Sequence, residues 1–276
     1  MKKLLLHSQR LVQMMAIAGI ALLTSCETTP DVTPDAASAT VQNAKGASTT
    51  VYYGPEAIAG EGTARVWVET VQGKPTALGI ELTEDALANL EMQDMFELTL
   101  RLPGQAHATG YKTVSIGWNP MGHEPVGVYT LPHFDFHFYM QTEGQIMHVE
   151  GGPDEGAWSL AGTVLPAFYT FGPAPVAVPH MGVHWSDVRS PEFSPAGFSR
   201  TFIYGSSGDQ VTFLEPMITL AYLQSLPAGT SETLPVPALL QYQQPNYYPE
   251  TYTVTHSTDG TYSIVLSDLV WHNANR

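Results

Sequence analysis

The chain has 276 residues, 43% hydrophobic and only 13% charged, with 24 Gly and 21 Pro. That composition supports a turn-rich globular core and excludes a wholly disordered chain or a coiled coil. A net charge of −15 argues against nucleic-acid binding, and a single Cys excludes a disulfide framework within the chain.

Residues 1–25 read as an export signal. Lys2, Lys3 and Arg10 form a positive start, and a 13-residue apolar run, Leu11 to Leu23, follows. The run is too short for a membrane span and suits a signal-peptide core. It ends in Leu23-Thr24-Ser25-Cys26, which resembles the lipobox of bacterial lipoproteins. The resemblance implies diacylation of Cys26 and cleavage just before it, so the partner is a membrane, reached through lipid. An ordinary signal peptide with a chance Cys is the alternative, but the only Cys of the chain stands at the required place. Glu27 rather than Asp follows it, which by analogy with Gram-negative sorting points to the outer membrane. The mature chain would carry 8 Lys and Arg against 26 acids. Two or more acyl chains hold stably where one does not.

Residues 26–50 comprise the lipidated Cys and a Thr/Ala/Ser-rich stretch with two Pro and no large apolar residue except two Val. Such a segment cannot offset its ordering entropy and reads as a flexible tether. Residues 51–276 read as one β-rich domain. ARVWVETV (64–71), ALGIEL (77–82), FELTLRL (96–102), KTVSIGW (112–118), FDFHFYM (134–140), RTFIYG (200–205) and QVTFLE (210–215) alternate with period two, as half-buried strands do. TYTVTHS (251–257) and TYSIVLS (261–267) flank Asp259-Gly260, a hairpin signal, and a second hairpin is expected across 206–209. Two short helices are expected, TEDALANLE (83–91) capped by Thr83, and a segment from Pro216 to Leu226. The expected fold is mainly β, a single antiparallel sandwich or barrel with one or two short helices.

Six of the nine mature His lie between residues 123 and 184. On a strand, His133, Asp135 and His137 share one face and Phe134, Phe136 and Phe138 the other. Neighbours two apart lie roughly 6.6 Å from each other and can share an ion, whereas His133 and His137, about 13 Å apart, cannot do so comfortably. One His–Asp pair, or two His in separate roles, is therefore expected, with ligands added from His184, His180, His123, Glu124 and Glu215. Imidazole with carboxylate suits a divalent transition metal: zinc, manganese, iron, copper or nickel. A buried polar network without metal is the competing reading. Glu215 either caps the helix starting at Pro216 or ends a strand and reaches into the site. Trp118 and Trp185 read as core, and His107, His148, His256 and His272 as surface residues. The sequence holds no G-x-S-x-G, P-loop or G-x-G-x-x-G, and a lipidated thiol is unavailable for catalysis.

The blocks N-P-M-G-H-E-P (119–125), P-H-F-D-F-H-F-Y (132–139), P-x-M-G-x-H-W (179–185) and E-P-M (215–217) resemble the bacterial exported TTHB-two-ten-like domain family, over about residues 50–270. The resemblance implies a β-rich, metal-binding, homo-oligomeric domain and brings no established reaction. Cupins place H-x-H on a strand, which this block matches only in part. Iron/2-oxoglutarate oxygenases use H-x-D and a distant His, which His133-x-Asp135 and His184 would imitate, with Arg189 or Arg200 as the basic residue. The reading is a membrane-anchored envelope lipoprotein with a metal-binding β domain. The alternatives are a metal-dependent envelope enzyme, cupin-like or oxygenase-like, and a structural envelope protein without metal.

Overall fold

The computed structural model describes residues 38–42 and 48–275. The signal segment, Cys26 and the residues up to 37 lie outside them. In chain order the strands are β1 (Ser38–Gln42), β2 (Ser48–Tyr53), β3 (Ala57–Ala59), β4 (Gly62–Val71), β5 (Lys74–Leu82), β6 (Phe96–Leu100), β7 (Thr113–Asn119), β8 (His133–Tyr139) and β9 (Gly152–Pro153). There follow β10 (Tyr169–Thr170), β11 (Val176–Ala177), β12 (Val183–Asp187), β13 (Arg200–Ser207), β14 (Gln210–Thr219), β15 (Thr230–Pro235), β16 (Asn246–His256) and β17 (Tyr262–His272). Two short α-helices, α1 (Glu143–Ile146) and α2 (Leu220–Ser225), accompany them. None of the described helices is long and apolar enough to cross a membrane.

The first sheet runs β1-β2-β4-β5-β17-β16-β15, with β3 added to β4, and the second runs β10-β12-β13-β14-β8-β7-β6. All pairs are antiparallel, and neither sheet closes on itself, so the fold is a sandwich rather than a barrel. Period-two alternation explains the layers. Val66, Val68, Leu78, Ile80, Val254 and Leu266 of the first sheet join Ile116, Trp118, Phe134, Phe136, Phe138 and Leu214 of the second in one core. Phe202 meets Tyr252 across the layers at 5.3 Å between ring centroids. Both expected hairpins form, at Gly208-Asp209 and around Gly260, whose φ of +89° suits glycine.

Three expectations need correction. The helix over 83–91 shrinks to one 3-10 turn, Glu84–Leu87. The Thr83 hydroxyl accepts from the Thr63 amide on β4 instead of capping, and Ala88 is already extended. The segment from Pro216 is not helical at its start. β14 runs through it to Thr219, whose hydroxyl caps α2 by accepting from the Tyr222 amide. A central, doubly buried strand position overrides the preference of Pro for a first helical turn, while Pro216 leaves its own mark on the pairing with β8. Finally, ordered pairing begins inside the stretch expected to be tether, because Ser38–Gln42 lies along Ser48–Tyr53. Its Thr and Val residues favour strand once an edge is offered.

Candidate metal centre

The second sheet buries both faces. Its inner face carries the Phe stripe of β8, and its outer face carries His133, Asp135 and His137, which are only 0, 6 and 0% exposed. β7 sets Asn119, Gly117 and Ser115 opposite these three residues. On the other side, β14 sets Thr219 opposite His133 and Met217 opposite Asp135. The same register places Glu215 opposite His137. Loops cover this face. The β7–β8 loop brings Tyr129 onto an apolar cluster with Phe198, Ile203 and Met217, and Ile146 of α1 packs with Tyr139 and Phe213.

Two separate triads result, each with its ligand-type atoms mutually within 4.8 Å: His123, His133 and Asp135, then His137, His184 and Glu215. The pleat keeps His133 and His137 apart and gives each its own carboxylate. In the first triad, Nε2 of His133 lies 3.1 Å from Asp135 Oδ1 and Nε2 of His123 lies 3.5 Å from Oδ2. Asn119 donates to Oδ2 at 2.7 Å. Both rings point their Nδ1 at a backbone carbonyl, His123 at Glu124 and His133 at Leu131, each at 2.7 Å. A carbonyl only accepts, so Nδ1 carries the proton and Nε2 of the neutral ring presents a lone pair to the carboxylate. Two lone pairs tolerate this approach only with a cation between them, either a proton that makes imidazolium or a metal ion. Such carbonyl-oriented rings are the usual outer support of metal-ligating His. Burial works to raise the Asp135 carboxyl, but the two rings beside it outweigh that and hold it below its usual range. Burial pulls His123 down, and Asp135 more than restores it, leaving it above the ordinary imidazole value.

In the second triad, Nε2 of His137 lies 3.5 Å from Glu215 Oε1 and Nε2 of His184 lies 3.4 Å from Oε2. Neither ring nitrogen of His137 has a hydrogen-bond partner, nor does Glu215 Oε2. Buried polar atoms without partners are costly and call for an explanation. Burial, reinforced by Asp135 and Glu97, pushes Glu215 well above the carboxylate range. Burial lowers His137, and burial together with His137 pulls His184 down to about 3. Burial thus works against charge on all three members of this triad.

Glu215 thus serves the strand reading rather than the helix cap. Two of the expected candidates stay outside. Glu124 supplies its backbone carbonyl to His123, but its side chain accepts from the Val126 amide. His180 stands exposed at φ +60° in the turn closed between Val178 and Gly182. Arg189 pairs with Asp187 at 2.6 Å and Arg200 with Glu232, so neither serves the triads. Trp118 and Trp185 are fully buried core, as expected. Asn119, Ser115 and Glu97 also belong to this face, and the sequence marked none of them as functional. Ser115 donates to Glu97 from the position opposite His137. Cavities of about 360 and 480 Å³ border the Asp209–Gln243 and Val149–Asp154 regions, away from both triads.

No curated protein and no solved structure matches the chain. A family model matches the stretch from within β4 to Trp118 in β7 and stops just before the His-bearing blocks. Residues 70–118 match the model of the TTHB210-like family, described as Hypothetical protein TTHB210.

Proposed function

We propose that the protein is a lipid-anchored lipoprotein of the bacterial outer membrane whose β domain holds two divalent transition-metal ions, one in each triad. One observation carries this reading: the four nitrogen–oxygen separations, 3.1 to 3.5 Å. Charge-assisted hydrogen bonds would close to roughly 2.7–2.9 Å. Ligands around an ion with bonds of about 2.0–2.1 Å sit roughly 3.3 Å apart along a tetrahedral edge. The donor set, two imidazoles and one carboxylate in each triad, is what zinc, iron, manganese or copper accepts. Bound there, such an ion would supply Lewis acidity, with the chain's residues fixing its geometry. His123, His133 and Asp135 would hold the first ion, with Asn119 orienting the carboxylate. His137, His184 and Glu215 would hold the second. The lipobox-like Leu23–Cys26 and the net charge support a tethered envelope module that gathers cations.

The test is elemental mass spectrometry on the untagged chain from residue 27. Two ions per chain are expected, with Asp135→Ala and His184→Ala each removing one and the double variant removing both. A folded protein that carries no metal, and whose melting temperature does not respond to zinc, manganese, iron(II) or copper, overturns the proposal in favour of a metal-free polar network.

A further inference from the structure

Each triad meets solvent through one imidazole. The side chains of His123 and His184 are 35 and 24% exposed, while the other four ligand candidates are buried. Access is therefore similar, and what separates the two sites is how firmly their ligands are held. In the first triad every ligand has an outer polar contact. The Leu131 and Glu124 carbonyls fix the rings of His133 and His123, and the Asn119 side chain fixes Asp135, all at 2.7 Å. In the second triad, among the described residues, the one outer polar contact is the Gly182 backbone beside His184. His137 has no partner at either nitrogen, and Glu215 has none at Oε2. Packing holds these rings instead. Tyr139 stacks on His137 at 5.3 Å, and Phe213 lies edge-on to both His137 and His184. Such packing limits where a ring sits but does not set which nitrogen carries the proton, which takes a hydrogen bond to the other one.

We infer that the two sites are unequal: the first triad retains its ion, and the second holds an exchangeable one that a competing chelator can draw off. This rests on the metal reading and gives the two sites different duties. Losing the outer partners of metal ligands costs about 10–100-fold in affinity, which sets the expected gap between the triads. The two ligand sets adjoin on β8, where Asp135 and His137 stand roughly 6.6 Å apart. Two divalent ions so placed repel each other, and release of the less firmly held one relieves the repulsion. The chain then keeps one ion as part of its structure and trades the other with its surroundings. Asn119 is a positioning residue for the retained ion, acting through Asp135.

The experiment is a competition titration of zinc-loaded full-length protein with a chromogenic chelator, counting the zinc released per chain. Wild type should release its zinc in two steps, separated by about 10–100-fold in apparent affinity. Asp135→Ala, which keeps the second triad, should show the weak step alone. His184→Ala, which keeps the first, should show the tight step alone, so either variant assigns the order if the other fails to fold. Asn119→Ala should weaken the tight step and leave the weak one in place, a split that a general loss of stability does not give. Release of both ions in a single step overturns the inference. So does a tight step that survives in Asp135→Ala, or an Asn119→Ala titration identical to wild type. If wild-type protein takes up no zinc at all, the metal reading itself has failed, a result distinct from any of those.

Discussion

Gly205→Ala perturbs the second triad without touching a ligand. Gly205 lies opposite Phe213 in the β13–β14 hairpin, and a Cβ there would fall 2.0 Å from two carbons of the Phe213 ring. Carbon pairs rest at about 3.5–4.0 Å, so the ring must retreat by roughly 1.5–2 Å. It has no slack, being fully buried with its centroid 5.4 Å from His137, 5.1 Å from His184 and 5.1 Å from Tyr139. Overpacking of this kind costs about 1–3 kcal/mol. At about 2–4 °C per kcal/mol for a chain approaching this size, the metal-free protein should melt about 2–12 °C lower. The displaced ring pushes on both His of one triad and neither His of the other, so metal content should fall from two ions to one. Thermal melts in chelator and elemental analysis after reloading measure the two effects. A variant that melts with wild type and still carries two ions would refute the packing argument.

Burial pushes the Glu215 carboxyl well above its usual range, and a metal needs the carboxylate, so loading the second triad should release protons, the more so at lower pH. Calorimetry of a His123→Ala variant in buffers of different ionisation enthalpy checks this, and a binding heat independent of buffer contradicts it. Glu192 is buried beneath Tyr129, and burial raises its carboxyl despite the Thr201 and Tyr129 hydroxyls. The folded state therefore holds that proton more tightly than the unfolded chain, so its stabilisation is complete in acid and is lost as pH rises through the raised folded-state value. Glu192→Gln, which mimics the neutral form, should gain on wild type in denaturation midpoints as pH climbs from 4 to 8, and a constant difference would show that Glu192 does not titrate as argued. Cys26→Ser should move the protein from the membrane pellet to the soluble envelope fraction, whereas retention in the pellet would remove the lipid as its anchor.

Strands were the easiest part of this molecule to read because alternation is a local property. FDFHFYM shows both the core stripe and the ligand stripe of β8 on its face, and the pleat alone separates His133 from His137. Local preference misleads where the sheet takes over. Pro216 and the acidic start of TEDALANLE both signal helix, yet one lies in a doubly buried central strand and the other next to a Thr83 engaged with β4. His123 as partner of Asp135 depends on a loop folding back over the sheet, and no spacing rule chooses it over His180. Glu97 looked like an ordinary polar residue of an alternating strand. Only the β6–β7–β8 register brings it beside Gly117 and Asp135.

Pro216 has a consequence for how the two halves of the ligand-bearing sheet hold together. Lacking an amide hydrogen, it interrupts the ladder between β14 and β8. Pairing is present at Leu214 with Phe138 and at Met217 with Asp135, and lapses for the two residues between. That lapse falls beside Glu215 and His137. An ion gripped by those two side chains would fasten the strands from outside, as a cross-strand rivet where the backbone contributes none. Loading the second triad should then slow amide exchange along the middle of β8, tying mechanical cohesion of the sheet to the supply of metal.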